Sequence, residues 1–383
     1  MKTCPMLDSK AAHWGDPTLT GSAFDFRSDA ITTPSHGMLE AIAGATLNDD
    51  VYGEDQLTQS FEEHMASICG KEAALFVVSG TMANQIALGA LSRRCTGVLA
   101  DATSHIVHFE AGGLASLSGA SIQPVRPANG HYLTLDDVER HAVTTNMIER
   151  LPTSIISLEN TAHGSVIPLQ ELRKMKAWAD EQEIAIHIDG ARVWHAVAAG
   201  GGTLKEIAAC CDVMTLSFGK GLAAPIGSII VGPRDLIART RRLRQSIGGG
   251  VRKAGAIVAA AWQAMIENFG PGDVDTRGII QSTHILARAV ANMWTSRGGL
   301  LLRPVMTNLV WLDLRRAGLD KSRLDTAAQH RDIRIRAPRI VLHHQISTDA
   351  MRRLEAVFEE VLEKKASQSP LRSRAERAGL ERL

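Results

Sequence analysis

The chain has 383 residues, 45% of them hydrophobic, which is enough for two domains and a sizeable core. Its 42 Lys and Arg residues nearly balance its 41 Asp and Glu residues, and the net charge of +1 offers no general attraction for nucleic acid or an anionic membrane. Five cysteines without zinc-ligand spacing predict neither a disulfide framework nor a metal site, and they fit a reducing compartment such as the cytoplasm.

The two ends of the chain differ from its interior. Residues 1–21 contain acidic residues and prolines but no signal-peptide pattern, and they predict a disordered arm. Residues 367–383 are rich in Arg and Glu and predict a frayed tail. Between them we expect a large domain over residues 22–255, which includes an N-terminal segment, and a smaller α/β domain over residues 256–366. No apolar run reaches the roughly 18 residues of a membrane-spanning helix.

Short apolar runs alternate with helical stretches from about residue 37 to about residue 250. This alternation is typical of an α/β fold with a mainly parallel sheet and helices on both faces. Most of the runs end at Gly, Asp or Asn, as buried strands do. The predicted strands of the sheet are Ala74–Val78, Gly97–Ala100, Ser121–Val125, Ser154–Leu158, Ile184–Ile188, Asp212–Leu216 and Ser228–Val231.

The remaining elements follow the sheet. Pro233 opens a helix that ends near Ser246, just before three glycines. Two apolar helices then bridge to the smaller domain, which would hold two short strands and the final helix. These predicted elements are the helices near Ala254–Asn268 and Gly278–Ser296, the strands Asn308–Leu314 and Arg339–His343, and the helix Thr348–Lys365.

The first candidate binding segment is Ser79-Gly80-Thr81-Met82, where a predicted strand turns into a helix. Free backbone N–H groups at the start of a helix, next to small residues that permit a close approach, suit a phosphate group. The same residues are also an ordinary N-terminal helix cap, and taken alone the segment favours that interpretation.

A histidine, His105, follows the next predicted strand and precedes Phe109-Glu-Ala-Gly-Gly113. Taken alone, it is best interpreted as a structural histidine bonded to the backbone, because histidines often have that role. The functional alternative stacks its ring against a cofactor.

Two later strands end in the clearest chemistry of the sequence. One apolar run ends in Asp189-Gly-Ala-Arg192, and the next ends in Ser217-Phe-Gly-Lys220. Because loops that leave the carboxyl ends of strands converge at one edge of a sheet, we expect the carboxylate and the amine to face one crevice. An Asp that keeps a ring nitrogen protonated and a Lys that forms an imine are the pair that pyridoxal phosphate requires. Singly, Asp189 could be a helix cap and Lys220 a solvated loop lysine, but together they indicate a pyridoxal phosphate site. Glycine-rich nucleotide motifs are absent.

Two further arginines are candidate ligands for an anion. Arg252 follows three glycines, and Arg339 begins the last predicted strand. Most arginines are solvated, so the residues alone leave both interpretations open. The carboxylate of an amino-acid substrate does require such a group, because a guanidinium can bind it with two parallel hydrogen bonds.

Taken together, these segments resemble the threonine aldolase branch of the β-eliminating lyase family, in a fungal-type form. The resemblance covers about residues 24–360 in order, which makes it far more specific than any single motif. It implies fold type I of the pyridoxal phosphate enzymes, a mainly parallel sheet flanked by helices with a smaller C-terminal α/β domain. The matching segments are Phe26–Asp29, Asp49–Asp55, Gly70–Phe76, Ser79–Met82, Glu110–Gly113, Leu158–Thr161, Asp189–Arg192, Lys220–Leu222 and Gly248–Arg252.

The resemblance implies how pyridoxal 5'-phosphate would be held. Lys220 would bind the cofactor covalently, Asp189 would bind its pyridine nitrogen, and His105 would stack on its ring. The family works as homodimers or homotetramers whose active sites lie at subunit interfaces. The remaining cofactor contacts would come from Gly80, Thr81 and Arg192 and, from a neighbouring subunit, Arg252.

It also implies a site for a small amino-acid substrate. Ser28, Arg192 and Arg339 would bind the α-carboxylate, with Tyr52 close to the site. Many relatives read Glu-Asn-Thr-His where this chain has Ala162 followed by His163. Since a methyl group cannot take a proton, the role at the β-hydroxyl would pass to His105, to His163 or to a phosphate-bound water.

Two residues near the lysine differ from the family pattern: Gly219 replaces the usual serine and Ala223 replaces a common glycine.

The leading hypothesis is a low-specificity L-threonine or L-allo-threonine aldolase that forms glycine and an aldehyde. The alternative is an amino-acid racemase, of alanine above all, in peptide secondary metabolism, with which Ala162 is compatible. A third hypothesis, a regulatory protein that retains the fold without catalysis, is disfavoured by the intact pair Lys220 and Asp189.

Overall fold

The computed structural model describes residues 13–145, 147–270 and 278–368 of the chain. A seven-stranded sheet forms its centre, and a two-stranded sheet lies further along the chain. The strands of the central sheet are β1 (Ala73–Val77), β2 (Gly97–Asp101), β3 (Ser121–Val125), β4 (Thr153–Glu159), β5 (Ala185–Gly190), β6 (Val213–Ser217) and β7 (Ser228–Gly232). Those of the small sheet are β8 (Leu309–Trp311) and β9 (Arg339–Val341).

The strands of the central sheet follow the order β1-β7-β6-β5-β4-β2-β3. All neighbouring pairs are parallel except those that include β7, which is antiparallel to both β1 and β6. The prediction of a mainly parallel α/β sheet is therefore confirmed. In the register, Glu159 of β4 lies opposite Asp189 of β5, which lies opposite Thr215 of β6. This register brings the polar ends of three strands to one edge of the sheet.

Helices connect the strands, and several begin at a side-chain cap. Ser35, Asp55 and Ser79 each accept a hydrogen bond from a backbone N–H in the first turn that follows them. The helices are α1 (Pro17–Thr20), α2 (His36–Ala43), α3 (Gln56–Cys69), α4 (Gly80–Leu91), α5 (His105–His108), α6 (Leu135–His141), α7 (Leu169–Glu181), α8 (Val193–Ala198), α9 (Leu204–Ala208), α10 (Arg234–Ser246), α11 (Gly255–Asn268), α12 (Gly278–Thr295), α13 (Lys321–Gln329) and α14 (Thr348–Gln368).

Both faces of the central sheet are buried. In β1, Phe76 points into a core with α3 and α11, whereas Leu75 and Val77 point into a core with α4 and α10. Apolar residues at consecutive positions are what a sheet covered on both faces requires. The sheet is therefore a rigid support for the loops at its edge.

A second core belongs to the C-terminal part of the chain. It joins α12, α13 and α14 to β8 and β9, and it also contains Phe26 from the N-terminal segment. The N–H of Phe26 donates to Arg334 O at 2.7 Å, and the N–H of Val341 donates to Phe26 O at 2.9 Å. The N-terminal segment, which we expected in the large domain, is thus also bound to the small one.

The expected domain boundary between residues 255 and 256 assigns helix α11 to the small domain. In the structure, α11 packs in the core of the large domain. Val258, Ala261 and Met265 of α11 are buried in the first core, together with residues of α3 and the sheet. Ile280 at the start of α12 still contacts that core, whereas Ala287 and Trp294 lie in the second. An apolar helix can pack on either domain, and the sequence alone did not show which one α11 covers.

The ends of the chain also differ from expectation. In the arm predicted to be disordered, residues 13–21 form a helical turn, because Asp16 caps α1 and the N–H of Gly15 donates to Pro34 O at 2.7 Å. Residues 1–12 lie outside the described residues. Helix α14 includes the first two residues of the predicted tail, and residues 369–383 are not described. Across the described ranges, none of the helices is long and apolar enough to cross a membrane.

A buried pair of histidines joins the two cores. His195 of α8 and His284 of α12 are each 2% exposed, and Nδ1 of His195 lies 3.0 Å from Nε2 of His284. Burial lowers the pKa of His195 to about 3 and that of His284 to about 4. Both rings are therefore neutral in the folded protein at neutral pH, although they take up protons near pH 6.5 when the chain unfolds.

This pair predicts a loss of stability in weak acid. Because the folded pKa values are depressed, the contribution of each ring is complete above about pH 6.5 and is lost as the pH falls towards the folded values. Between pH 7 and pH 5, we expect the midpoint of thermal unfolding to fall less in His284→Gln than in the wild-type protein, since one proton-linked group is gone. Midpoints measured at both pH values would test this. Identical shifts in the two proteins would show that the pair does not titrate as described.

Candidate active site at the edge of the central sheet

The carboxylate of Asp189 lies at the end of β5 and is 7% exposed. Oδ2 accepts a hydrogen bond from Asn84 Nδ2 at 2.7 Å, and Oδ1 accepts one from the N–H of Ala191 at 2.9 Å. Burial alone raises the pKa of Asp189, but the Lys220 charge and these hydrogen bonds outweigh it and lower the pKa. The group is therefore a fixed, buried anion.

The amine of Lys220 follows β6 and shares that crevice. Burial, followed by the charge of Arg192, lowers the pKa of Lys220, while Asp189 opposes the shift. A depressed pKa increases the fraction of neutral amine, which is the form that reacts with a carbonyl group. The structure thus places Asp189 and Lys220 close enough for their charges to interact, as expected from their positions after two strands.

The backbone after Lys220 is closely packed. A Cβ atom at Gly221 would lie 2.7 Å from His195 Nε2, so only glycine fits there. Ala223 adopts φ of 63°, a conformation that glycine adopts more readily. At Gly219 a Cβ atom would lie 3.4 Å from Ala224 O, an ordinary contact. Sterically, therefore, the chain would accept the serine that is usual at position 219.

A hydrogen-bond network links Asp189 to His105. Asn84 Nδ2 donates both to Asp189 and, at 2.9 Å, to Glu110 Oε1, which lies 2.8 Å from His105 Nδ1. Asn84 Oδ1 in turn accepts a hydrogen bond from the Thr215 hydroxyl at 2.9 Å. The bond to Glu110 raises the pKa of His105, against the opposing effect of burial. His105 is thereby fixed by side chains rather than by backbone carbonyls.

Glu159, at the end of β4, closes the network from the other side. It accepts a hydrogen bond from the backbone N–H of His105 at the start of α5. Burial, followed by the charge of Asp189, raises the pKa of Glu159 to about 8. Sequence reasoning did not single out Asn84, Glu110 or Glu159 as site residues. Glu110 and Glu159 stand within segments that match the family, which was their only signal, and Asn84 lies outside those segments.

The guanidinium of Arg192 is held by a buried carboxylate. Nε and Nη2 of Arg192 donate to Asp29 Oδ2 and Oδ1 at 2.8 and 2.6 Å, and Asp29 is fully buried. Asn308 Nδ2 also donates to Asp29 Oδ2, at 3.1 Å. Burial raises the pKa of Asp29, but the charge and hydrogen bonds of Arg192 lower it by more. The net pKa is well below the usual range, so Asp29 is ionised. Asp29 therefore orients Arg192, a function that the sequence analysis did not assign.

The other residues expected at the substrate carboxylate lie beside this pair. Arg339 Nη2 donates to Arg27 O at 3.1 Å. Burial, followed by the nearby charge of Arg192, lowers the pKa of Arg339. The hydroxyl of Ser28, the residue before Asp29, accepts a hydrogen bond from the N–H of Ala30 at 3.1 Å. The structure therefore brings Ser28, Arg192 and Arg339 into one region.

The start of α4 provides a place for a phosphate group. Ser79 accepts a hydrogen bond from the N–H of Met82 at 3.1 Å, so the capping interpretation of this segment is correct. A Cβ atom at Gly80 would lie 3.7 Å from the hydroxyl of Ser228. That hydroxyl is buried and has no hydrogen-bond partner among the described residues. A buried, unpaired hydroxyl beside the start of a helix suits a phosphate oxygen, which fits pyridoxal phosphate.

Two expected site residues lie in a separate, exposed cluster. Nη1 of Arg252 donates to Asp49 Oδ2 at 2.5 Å, and its guanidinium lies 5.1 Å from the centre of the Tyr52 ring. The side chain of Arg252 is 58% exposed and Tyr52 is 71% exposed. The contacts of these residues do not include Lys220 or Asp189 of the same chain.

Ala162 stands where many relatives have the histidine of Glu-Asn-Thr-His, and it differs in its surroundings from His163, which follows it. Ala162 is 4% exposed. His163 Nε2 lies 2.9 Å from Thr103 Oγ1 and 3.1 Å from Thr103 O. The Thr103 hydroxyl donates to Asp101 Oδ1 at 2.8 Å, so Nε2 of His163 is the donor and Nδ1 the acceptor of the ring. Burial, followed by the charge of Arg303, lowers the pKa of His163 and keeps the ring neutral.

The chain is similar to known proteins over most of its length. The family model described as β-eliminating lyase matches residues 25–317. The alanine racemase TOXG of Cochliobolus carbonum is 46% identical, over 91% of this chain and 90% of that protein. The aldolase vrtJ of Penicillium aethiopicum is 44% identical, over 93% and 90%. A low-specificity L-threonine aldolase of Eremothecium gossypii is 38% identical, over 90% and 89%.

A solved structure supports the fold. A threonine aldolase from Leishmania major superposes with a TM-score of 0.73 and 17% identity, and the match covers 88% of this chain and 99% of that one. At this identity the likeness shows a shared fold, with a mainly parallel sheet flanked by helices.

Proposed function

Since the chain belongs to the β-eliminating lyase family, we propose that it is a pyridoxal-phosphate-dependent lyase that cleaves L-threonine and L-allo-threonine to glycine and acetaldehyde. The observation that carries this proposal is the buried pair of Lys220 and Asp189, next to the guanidinium of Arg192. The relatives named as aldolases support the substrate class. The reaction would contribute to glycine biosynthesis in the cytoplasm.

The bound cofactor supplies the electron sink for breaking a bond at Cα. Lys220 would carry it, Asp189 would hold its ring nitrogen, and His105 would cover its ring from the position fixed by Glu110. The N–H groups of Gly80 and Thr81 and the free hydroxyl of Ser228 would bind its phosphate. Each group is placed by buried partners, so little reorganisation is needed on binding.

The substrate's α-carboxylate would be bound by Arg192, whose orientation is set by Asp29. Arg339 and Ser28 lie in the same region and would complete the binding. A fixed carboxylate determines which bond at Cα stands perpendicular to the ring, and therefore which bond breaks.

Cleavage of Cα–Cβ also requires a base for the β-hydroxyl proton. We assign it to His163 Nδ1, because Nε2 is engaged by Thr103 and the ring is neutral.

A second function has specific support. TOXG is named an alanine racemase, and Ala162 cannot serve as a base at a β-hydroxyl. In a racemase the same residues would hold the substrate, but Cα–H would break and the proton would return from the opposite face. The Cα–Cβ bond would remain intact.

One incubation separates the two functions. The holoenzyme is given L-threonine, L-allo-threonine or L-alanine in deuterated water, and the products are identified by mass spectrometry and chiral chromatography. Acetaldehyde and deuterated glycine in equal amounts would establish the lyase. Deuterated D-alanine without any aldehyde would establish the racemase and exclude the leading proposal.

We further propose that the active enzyme is a homodimer or a homotetramer in which Arg252 contributes to the site of a neighbouring subunit. The side chain of Arg252 is exposed, and it contacts Asp49 and Tyr52 rather than Lys220 of the same chain. Both observations support this arrangement. The two inactive variants Lys220→Ala and Arg252→Ala should then complement each other when co-expressed, because a mixed dimer contains one intact site. We expect roughly a quarter of the wild-type activity, from random mixing of two subunit types. Activity no higher than that of the separate variants would assign both residues to the same subunit's site.

A further inference from the structure

An arginine near the site lacks a partner for much of its guanidinium. Nε and Nη1 of Arg303 are buried and have no hydrogen-bond partner in the described part of the chain. Burial lowers the pKa of Arg303, although the charge of Asp101 opposes the shift. Nε and Nη1 together carry three N–H donors, so Arg303 can donate hydrogen bonds that nothing around it accepts.

Arg303 stands on the His163 side of the active site. Its guanidinium lies 5.3 Å from the centre of the Trp311 ring, whose Nε1 donates to His163 O at 2.9 Å. The rings of Trp311 and His163 meet edge to face, with centres 5.8 Å apart. After burial, the charges that lower the pKa of His163 include those of Arg303 and Arg192. The charges of Arg303 and of the arginine assigned to the α-carboxylate therefore both act on His163.

The strand β8 links these two arginines. Asn308, just before β8, donates to Asp29 and so supports Arg192, while Trp311 at its other end packs against Arg303. The strand therefore connects the surroundings of Arg192 with those of His163 and Arg303.

Nearby acidic groups do not neutralise Arg303. Asp101 Oδ1 already accepts hydrogen bonds from the N–H and the hydroxyl of Thr103, at 2.7 and 2.8 Å. Within the described ranges, Arg303 forms no ion pair. A buried guanidinium without an acceptor is unfavourable, and a carboxylate that entered the site would satisfy it.

We propose that Arg303 binds an anionic substituent on Cβ, so that the enzyme accepts β-hydroxy-α-amino dicarboxylic acids such as 3-hydroxyaspartate. This inference rests on the proposed lyase function. In the reaction, Cα–Cβ breaks, the β-hydroxyl loses its proton as the aldehyde C=O forms, and Cα gains a proton. The products are glycine and glyoxylate, and no oxidant or reductant is needed. Arg303 acts as a specificity residue, because the chemistry takes place at the cofactor.

Binding of non-cleavable amino acids tests the inference without relying on turnover. L-Aspartate has the β-carboxylate but no β-hydroxyl, and L-asparagine is its neutral isostere. In calorimetric titrations of the holoenzyme, we expect aspartate to bind at least about tenfold more tightly than asparagine, as a charge-assisted hydrogen bond requires. Equal affinities in the wild-type protein would overturn the inference, whatever any variant does.

Two variants locate the preference. Arg303→Met keeps an unbranched side chain but removes its donors, and it should abolish the preference for aspartate. Arg140→Met, on the surface of α6, should preserve it. If Arg303→Met leaves the preference unchanged, the carboxylate is recognised elsewhere.

Kinetics then separate the inference from the proposed function. Arg303→Met should lower kcat/KM for 3-hydroxyaspartate about tenfold or more and change that for threonine less than twofold. Equal losses for both substrates would indicate a structural role for Arg303. A wild-type protein that prefers aspartate over asparagine but cleaves neither β-hydroxy substrate would refute the lyase function and retain the anion site.

Discussion

Lys220→Ala is expected to lose the absorbance band of the lysine-bound cofactor and to lose activity by on the order of a thousandfold or more, because the group that binds the cofactor covalently is removed. The buried neighbours that lower the pKa of Lys220 would remain in place. The change should therefore act on chemistry rather than on folding. Absorbance spectroscopy of the purified protein, with the product assay, measures both effects.

A matched control distinguishes this effect from a general loss of positive charge. Lys174 on the surface of α7 is 56% exposed, and Lys174→Ala should retain both the absorbance band and the activity. A Lys220→Ala protein that retains the band would show that another amine carries the cofactor. In that case the site at the edge of the sheet would be wrongly assigned.

Asp189→Ala is expected to reduce kcat on the order of a hundredfold to several thousandfold, since about 3–5 kcal/mol is typical for breaking a buried charge pair. Without the carboxylate, the ring nitrogen would lose the anion that keeps it protonated, and the cofactor would be a weaker electron sink. Asn84 would also lose the acceptor that is 2.7 Å from its Nδ2. We expect weaker cofactor binding in addition to slower turnover.

Steady-state rates at saturating cofactor separate the two effects of Asp189→Ala. Asp136, on the surface of α6, provides the control variant Asp136→Ala, which should behave as wild type. Turnover within threefold of wild type at saturating cofactor would contradict the assignment of Asp189 to the ring nitrogen. It would leave Asp189 with a structural role at the end of β5.

The sequence predicted the framework of the site because local signals specify it. Asp189 and Lys220 each follow an apolar run, and strands of this kind end at one edge of a parallel sheet. The cap at Ser79 was likewise visible, since a polar residue before a helical stretch is a local pattern. Such features depend on neighbours in the chain, and the structure shows them with shifts of at most two residues at the ends of the strands of the central sheet.

The partners of these residues depend on the tertiary fold and could not be read locally. Asp29 lies 163 positions before Arg192, and Asn84 lies 105 positions before Asp189. The hydroxyl of Ser228 approaches Gly80 only because β7 runs antiparallel beside β1. In the same way, the position of α11 depends on which apolar surface it covers, and its sequence is apolar enough for either domain.

Lys220, at the edge next to Asp189, is the lysine proposed to carry the cofactor. The most direct measurement is borohydride reduction of the holoenzyme, which fixes the cofactor to its lysine, followed by peptide mass spectrometry. We expect the added mass on the peptide that contains Lys220, and we expect this label to be absent in Lys220→Ala. A label on any other lysine, or an unlabelled peptide from a fully cofactor-loaded protein, would contradict it.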